Sequence, residues 1–146
     1  MLDTLESLST CYPAVAESVP QVRHRLAAIA ASAGASDELL DRVRLAVSEV
    51  VTNAVEHAYR ARAGDIQVTA AMVGDRLSVL VADDGCGLGG SHASRGLGIG
   101  LAVAAQMSDD FTVASRSSGG VEVRMGFALS AADIGCPPLR ASQIAR

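Results

Sequence analysis

Hydrophobic positions recur at two different periods along this 146-residue chain, and the switches between them mark its elements. From Leu5 to Tyr12 a weak alternation sets Leu5, Ser7, Ser9 and Cys11 against Glu6, Leu8, Thr10 and Tyr12. Pro13 follows, which suits only an edge strand or its end. Val22, Leu26, Ile29 and Ala33 then return at helical spacing, which predicts a first helix over Val19 to Ala33. Ser18 reads as its N-cap, Pro20 lies in its first turn and Gly34 stops it. Ser36-Asp37-Glu38 opens a second helix, a polar cap followed by acids where the helix dipole favours negative charge. This helix is expected to run to about Tyr59. Val43, Val47, Val50, Ala54 and Ala58 form its apolar stripe, while Glu49, Asn53 and His57 stand four apart on an adjoining face.

Alternation then takes over. Ile66, Val68, Ala70 and Met72 lead to a tight turn at Gly74-Asp75, and Leu77, Val79 and Val81 lead back to Asp83. Phe111 to Ser117 and Val121 to Leu129 repeat the arrangement around Ser118-Gly119-Gly120, with Val121, Val123, Met125, Phe127 and Leu129 facing one way. A sheet with one covered face follows. Between the hairpins, Leu101, Val103, Ala104 and Met107 predict a third helix, preceded by a loop over Ser91 to Gly96. The order of elements predicts an α+β two-layer sandwich: a mixed, mostly antiparallel sheet with helices on one face. Residues 1–129 read as a single domain, and Ser130 to Arg146, with Gly135 and Pro137-Pro138 and no clear period, as a poorly ordered tail.

Composition narrows the chemistry. The formal charge is -4 and the arginines are scattered, so the concentrated basic surface that nucleic-acid binding requires is missing. All 12 basic residues are arginine. Without lysine neither a P-loop nor a protein kinase of the common fold can operate, and a nucleotide site must rely on Mg²⁺, backbone N–H groups and arginine. Cys11, Cys86 and Cys136 have no paired metal-ligand spacing and read as free thiols in a reducing compartment. Met1 to Thr10 lacks the basic start of a signal peptide, and Gly96 to Ser108, the longest uncharged run, is too short to span a bilayer. A cytoplasmic protein is expected.

Three stretches carry candidate chemistry. Glu49 and Asn53, one turn apart, fit either an ordinary solvated helix face or a site in which Asn gives Mg²⁺ an oxygen while Glu orients or deprotonates a nucleophile. Asp83, at a strand end before Gly85 and Gly87, fits either a plain Asp-Gly turn or an acceptor for a ligand amine, with the glycines letting a flat ring lie against backbone. Arg95-Gly96-Leu97-Gly98-Ile99-Gly100 fits a helix start softened for close packing, or a phosphate-binding helix N-terminus with Arg95 beside it. Gly85, Gly87 and Gly90 also spell a dinucleotide-binding pattern, but that fingerprint must open a helix at once, and the loop expected at Ser91 to Gly96 argues against it.

Taken in order, E-x-x-x-N, D-x-G-x-G after a hairpin and G-x-G before a helix resemble the GHKL ATPase superfamily of gyrase, heat-shock chaperones, MutL and histidine kinases. The wording SEVVTNAVEHAY and RGLGIGLAV is most similar to the bacterial anti-sigma factor serine/threonine kinases and their switch-kinase relatives. The resemblance covers about Ser18 to Leu129. It implies that Asn53 ligates Mg²⁺, that Glu49 is the candidate base and that Asp83 reads the adenine amine of ATP. It implies that Gly85 and Gly87 flank the base, that Gly96, Leu97 and Gly98 lie at the phosphates with Arg95, and that His57 is a polar pocket residue. Only Leu88 to Arg95 separates the glycine motifs, so the expected ATP lid is short.

The resemblance implies a kinase that phosphorylates an anti-sigma factor antagonist of the STAS type, has anti-sigma activity toward a sigma factor, and forms a homodimer through its N-terminal strand edge. Two other readings stay open: a non-catalytic module that uses ATP to shape a binding surface, and a detached histidine-kinase-like catalytic domain. The chain contains no recognisable phosphoacceptor-histidine helix pair, which weighs against the last.

Overall fold

Each sequence period finds its element in the computed structural model, which describes residues 7–58, 64–85, 91–117 and 119–129. Strand β1 is Ser7–Pro13, helix α1 Ser18–Ser32 and helix α2 Asp37–Asn53, followed by a π-helical turn at Ala54–Ala58. Strands β2 (Asp65–Val73) and β3 (Arg76–Asp83), helix α3 (Ser91–Met107), and strands β4 (Asp110–Ser115) and β5 (Val121–Ala128) complete the order. Leu5, Tyr59, Gly87, the first part of the expected lid from Leu88 to Gly90, and the expected tail lie outside the described residues.

The sheet is five-stranded in the order β1-β2-β3-β5-β4. Every pairing among the described strands is antiparallel, so the expected mixed sheet is corrected. The reason is topological: β5 returns from β4 and inserts between β4 and β3, which keeps the two strands of like direction apart. Register then places one set of side chains under the helices. Ala70 stands opposite Val79, which stands opposite Met125; Val68, Val81 and Val123 make the next row. These residues are buried, whereas Ser9, Ser78 and Arg124 on the opposite face are exposed, and Thr69 and Glu122 retain partial access.

Helix α2 is the centre of the covering layer. Val43, Val47 and Val50 are buried as the stripe predicts, and α2 packs against both α1 and α3. Its start is as read: Ser36 sits in extended backbone and its hydroxyl accepts the Leu39 N–H at 3.1 Å. Helix α1 starts differently. Ser18 is its first residue, and the hydroxyl donates to the Pro13 carbonyl at 2.6 Å, tying the helix to the end of β1 instead of capping its own amides. Gly34, at φ 99°, ends α1 through paired bonds, Gly34 N–H to Ala31 O and Ala35 N–H to Ala30 O. Arg42 on α2 donates to the Met107 carbonyl at 3.1 Å and so secures the far end of α3.

The cap on α2 gives a direct test of this layer. Ser36→Ala removes an acceptor from the first turn and is expected to lower unfolding free energy by about 1 kcal/mol, read by urea denaturation. Affinity for nucleotide should be unchanged, because the cap lies at the opposite end of α2 from Asn53.

Candidate active site

The π-helical turn that continues α2 packs against β3, and α3 crosses α2, so the last turns of α2 lie among the elements that carry the sequence motifs. Asn53 is the last residue of α2 and is 8 % exposed. Its Nδ2 is buried with no hydrogen-bond partner among the described residues. A native interior rarely leaves such a group unmatched, since an unsatisfied buried donor costs about 1–3 kcal/mol. An incoming ligand can satisfy it: a carboxamide offers an N–H to a phosphate oxygen or, turned over, an oxygen to a cation. This observation fits Mg²⁺ held chiefly through phosphates plus one or two protein oxygens. Among the described residues no cluster of three or more His, Cys, Asp or Glu could hold a metal alone.

Glu49 stands one turn earlier and is half-buried. The two side chains meet α3 at Gly100: a Cβ placed there would lie 3.0 Å from Glu49 Oε1 and 3.7 Å from Asn53 Oδ1. The structure thus brings Glu49 and Asn53 together against the third motif. His57 falls in the π-helical turn, where the α-helical repeat that sets the four-residue row has already ended at Asn53.

Asp83 ends β3 on the helix side of the sheet, opposite Ile66, and is 7 % exposed. Its Oδ1 accepts the Gly85 N–H at 2.8 Å and the Val121 N–H at 3.4 Å. Burial pushes its carboxyl above the ordinary value of 3.8. The two backbone N–H bonds oppose that rise, neighbouring Asp84 adds to it, and the Arg116 guanidinium lowers it.

Motif reading alone misses the wall behind Asp83. The turn between β4 and β5 closes on the strand end: Arg116 donates to the Asp83 carbonyl at 3.2 Å and pairs with Asp84 at 3.1 Å. Gly120 comes closest. A Cβ there would fall 1.8 Å from the Asp83 carbonyl oxygen, so no side chain fits unless the strand end moves. The only sequence signal is the second glycine of Ser118-Gly119-Gly120, one more than a turn needs when Gly119 already takes the positive φ of 108°.

The third motif is placed differently from expectation. Helix α3 begins at Ser91, so Ser91 to Gly96 is helix, not loop, and Arg95, Gly96, Leu97 and Gly98 lie inside it. The N–H groups of Gly96 and Gly98 fall beyond the four free amides of a helix start. Packing explains the difference: Leu101 and Ala104 are buried further along the same helix and carry it through glycines that each cost about 1 kcal/mol. This also overturns the loop argument against a dinucleotide fold. That fold is excluded instead by the antiparallel neighbours on both sides of β3, because the fingerprint belongs to a parallel βαβ unit.

A model of the histidine kinase-like ATPase domain matches residues 12–127. Among curated proteins, the chain is 36% identical over 110 residues to serine-protein kinase RsbW of Bacillus licheniformis, covering 75% of this chain and 64% of that one. It is 32% identical over 98 residues to serine-protein kinase RsbW of Bacillus cereus, covering 67% and 61%. The chain therefore spans about three fifths of the length of these relatives. The crystal structure of the RsbU and RsbW domains of Rv1364c from Mycobacterium tuberculosis matches with a TM-score of 0.66 at 27% identity, over 85% of this chain and 32% of that one.

The raised carboxyl of Asp83 predicts opposite effects on stability and binding. Its contribution to stability is present while the group is protonated and is lost as pH rises from 3.8 through the higher folded value. Asp83→Asn should therefore raise the unfolding midpoint of the nucleotide-free protein at neutral pH, with the gain shrinking toward pH 4 and below. The same variant should bind ATP more weakly by calorimetry. A variant less stable than the parent at neutral pH would contradict this assignment.

Proposed function

The chain belongs to the histidine kinase-like ATPase domain family, and on that premise we propose that it is a cytoplasmic, ATP-dependent protein serine/threonine kinase of the anti-sigma type. Its substrate in this reading is a serine or threonine of a STAS-type anti-sigma factor antagonist, and it regulates transcription through that antagonist and a sigma factor. The observation that carries the reading is the buried Asn53 Nδ2, without a hydrogen-bond partner among the described residues, one turn from Glu49. The relatives named serine-protein kinase support it.

The residues divide the work by position. Asp83 Oδ2 accepts the adenine amine, while Gly85 and Gly87 leave room for the ring. Asn53 gives its amide oxygen to Mg²⁺, and His57 contributes a polar group to the pocket. When bound, Mg²⁺ neutralises phosphate charge and holds the phosphates for in-line transfer. Glu49 takes the proton of the acceptor hydroxyl as its oxygen bonds the γ-phosphorus and the bond to the β–γ bridging oxygen breaks, releasing ADP. Arg95 offsets phosphate charge from α3. For Gly96, Leu97 and Gly98 to meet the phosphates with backbone N–H groups, the first turns of α3 must open, which the glycines make inexpensive. Among the described strands β1 pairs only with β2, and its outer edge is left for a second copy, which supports a homodimer.

A second reading rests on α3. Because its helix already uses the Gly96 and Gly98 amides, ATP binding can act as a conformational signal without phosphotransfer, and the protein is then an ATP-gated binding module. Intact-mass measurement separates the two. Purified protein, Mg-ATP and candidate STAS-type antagonists should give a mass gain of one phosphate on the antagonist. Glu49→Ala should keep Mg-ATP affinity and slow that transfer by about 10²- to 10⁴-fold. A stable complex formed without phosphorylation would overturn the kinase reading in favour of the gated module.

A further inference from the structure

Gly100 is a glycine without an obvious backbone reason to be one. It lies within α3, and its φ is outside the left-handed range in which glycine is favoured. It is not walled in by main chain either, since the nearest backbone atom to a Cβ at this position would be the Glu49 carbonyl oxygen at 3.9 Å, an ordinary contact. Alanine is the best helix former and glycine among the worst, so local stability alone favours alanine here. What an added methyl would meet is Glu49 Oε1 at 3.0 Å, the end of a flexible side chain that must yield by a few tenths of an ångström. The neighbours fix this orientation: Ile99 is 81% exposed and Leu101 is buried, so the rotation of α3 turns Gly100 toward α2.

We propose that Gly100 is a positioning residue for Glu49: by offering backbone where any other residue offers a side chain, it lets the carboxylate settle against α3 beside the amide of Asn53. This rests on Glu49 acting as the base that takes the acceptor proton. A methyl at position 100 displaces the carboxylate from its place against α3 while the helices remain packed. Small misplacements of a reacting group are costly in rate, so the effect falls on turnover and not on binding.

The test is Gly100→Ala in the full chain, with Ile99→Ala as the control on the exposed side of the same helix. Thermal unfolding, calorimetric Mg-ATP affinity, phosphotransfer from Mg-ATP to candidate STAS-type antagonists and the ¹³C-carboxyl chemical shift of Glu49 by NMR are measured together. Gly100→Ala is expected to raise the midpoint by about 2–4 °C, leave Mg-ATP affinity and KM unchanged, lower kcat by about tenfold and move the Glu49 carboxyl resonance. Ile99→Ala should leave affinity, kcat and the resonance as they are. Unchanged turnover with an unchanged Glu49 resonance would overturn the proposal, and so would a joint fall in midpoint, affinity and turnover, which would make Gly100 a packing spacer. If the parent protein transfers no phosphate to the antagonists, the kinase reading fails, and the Glu49 resonance still decides whether Gly100 sets the carboxylate.

Discussion

Two polar groups kept inside the protein, the Asn53 carboxamide and the Asp83 carboxylate, are the constraint around which the rest of the structure is arranged. Both are less than one tenth exposed, and Asn53 Nδ2 has no partner among the described residues. An unmet buried polar group costs about 1–3 kcal/mol, a sizeable share of the ~5–15 kcal/mol that holds a typical domain. The compensation is found elsewhere. Val43, Val47 and Val50 bury the inner face of α2, and Ser36, Ser18 and Gly34 secure helix ends. At the turn between β2 and β3, Arg76 pairs with Asp110 and the Leu129 N–H donates to the Asp75 carbonyl at 2.8 Å, closing the sheet on the side away from Asp83.

The site itself is positioned by main chain. Gly120 brings the β4–β5 turn onto the Asp83 carbonyl, and Gly100 brings α3 onto Glu49. A side chain can swing aside, but a strand end or helix backbone moves only if its element moves. Placement of Asp83 and of Glu49 is therefore tied to the packing of the whole sheet and helix layer. The exposed Arg116–Asp84 pair adds little stability by itself. The same guanidinium also bonds the Asp83 carbonyl, which gives it a geometric role at the strand end.

Much of this was legible in the sequence because burial here is one-sided. Alternation over Ile66 to Met72 and Leu77 to Val81, and the helical stripe through Val43, Val47 and Val50, translate directly into a covered sheet and its central helix. Glu49, Asn53 and Asp83 could be singled out because their motifs are local. The contacts that orient them are not: Arg116 reaches Asp83 across 33 residues, and Gly100 meets Glu49 from another helix. No local period records such approaches. The start of α3 was misread for a different reason. Three glycines in five residues argue against helix by propensity, and the tertiary anchoring of Leu101 and Ala104 outweighs that preference. The π-helical turn after Asn53 is equally silent in a pattern that reads as continuous α-helix.

The claim on which everything else rests is that Asn53 is held unmatched in order to be matched by a metal-bound nucleotide. Calorimetric titration of ATP into the full chain, with and without Mg²⁺, and into Asn53→Ala under the same two conditions, tests it most directly. The account predicts that the parent binds ATP, that Mg²⁺ strengthens this binding, and that the gain from Mg²⁺ is lost in the variant while metal-free affinity is largely retained. The same gain from Mg²⁺ in both proteins, or no ATP binding by the parent, would contradict it.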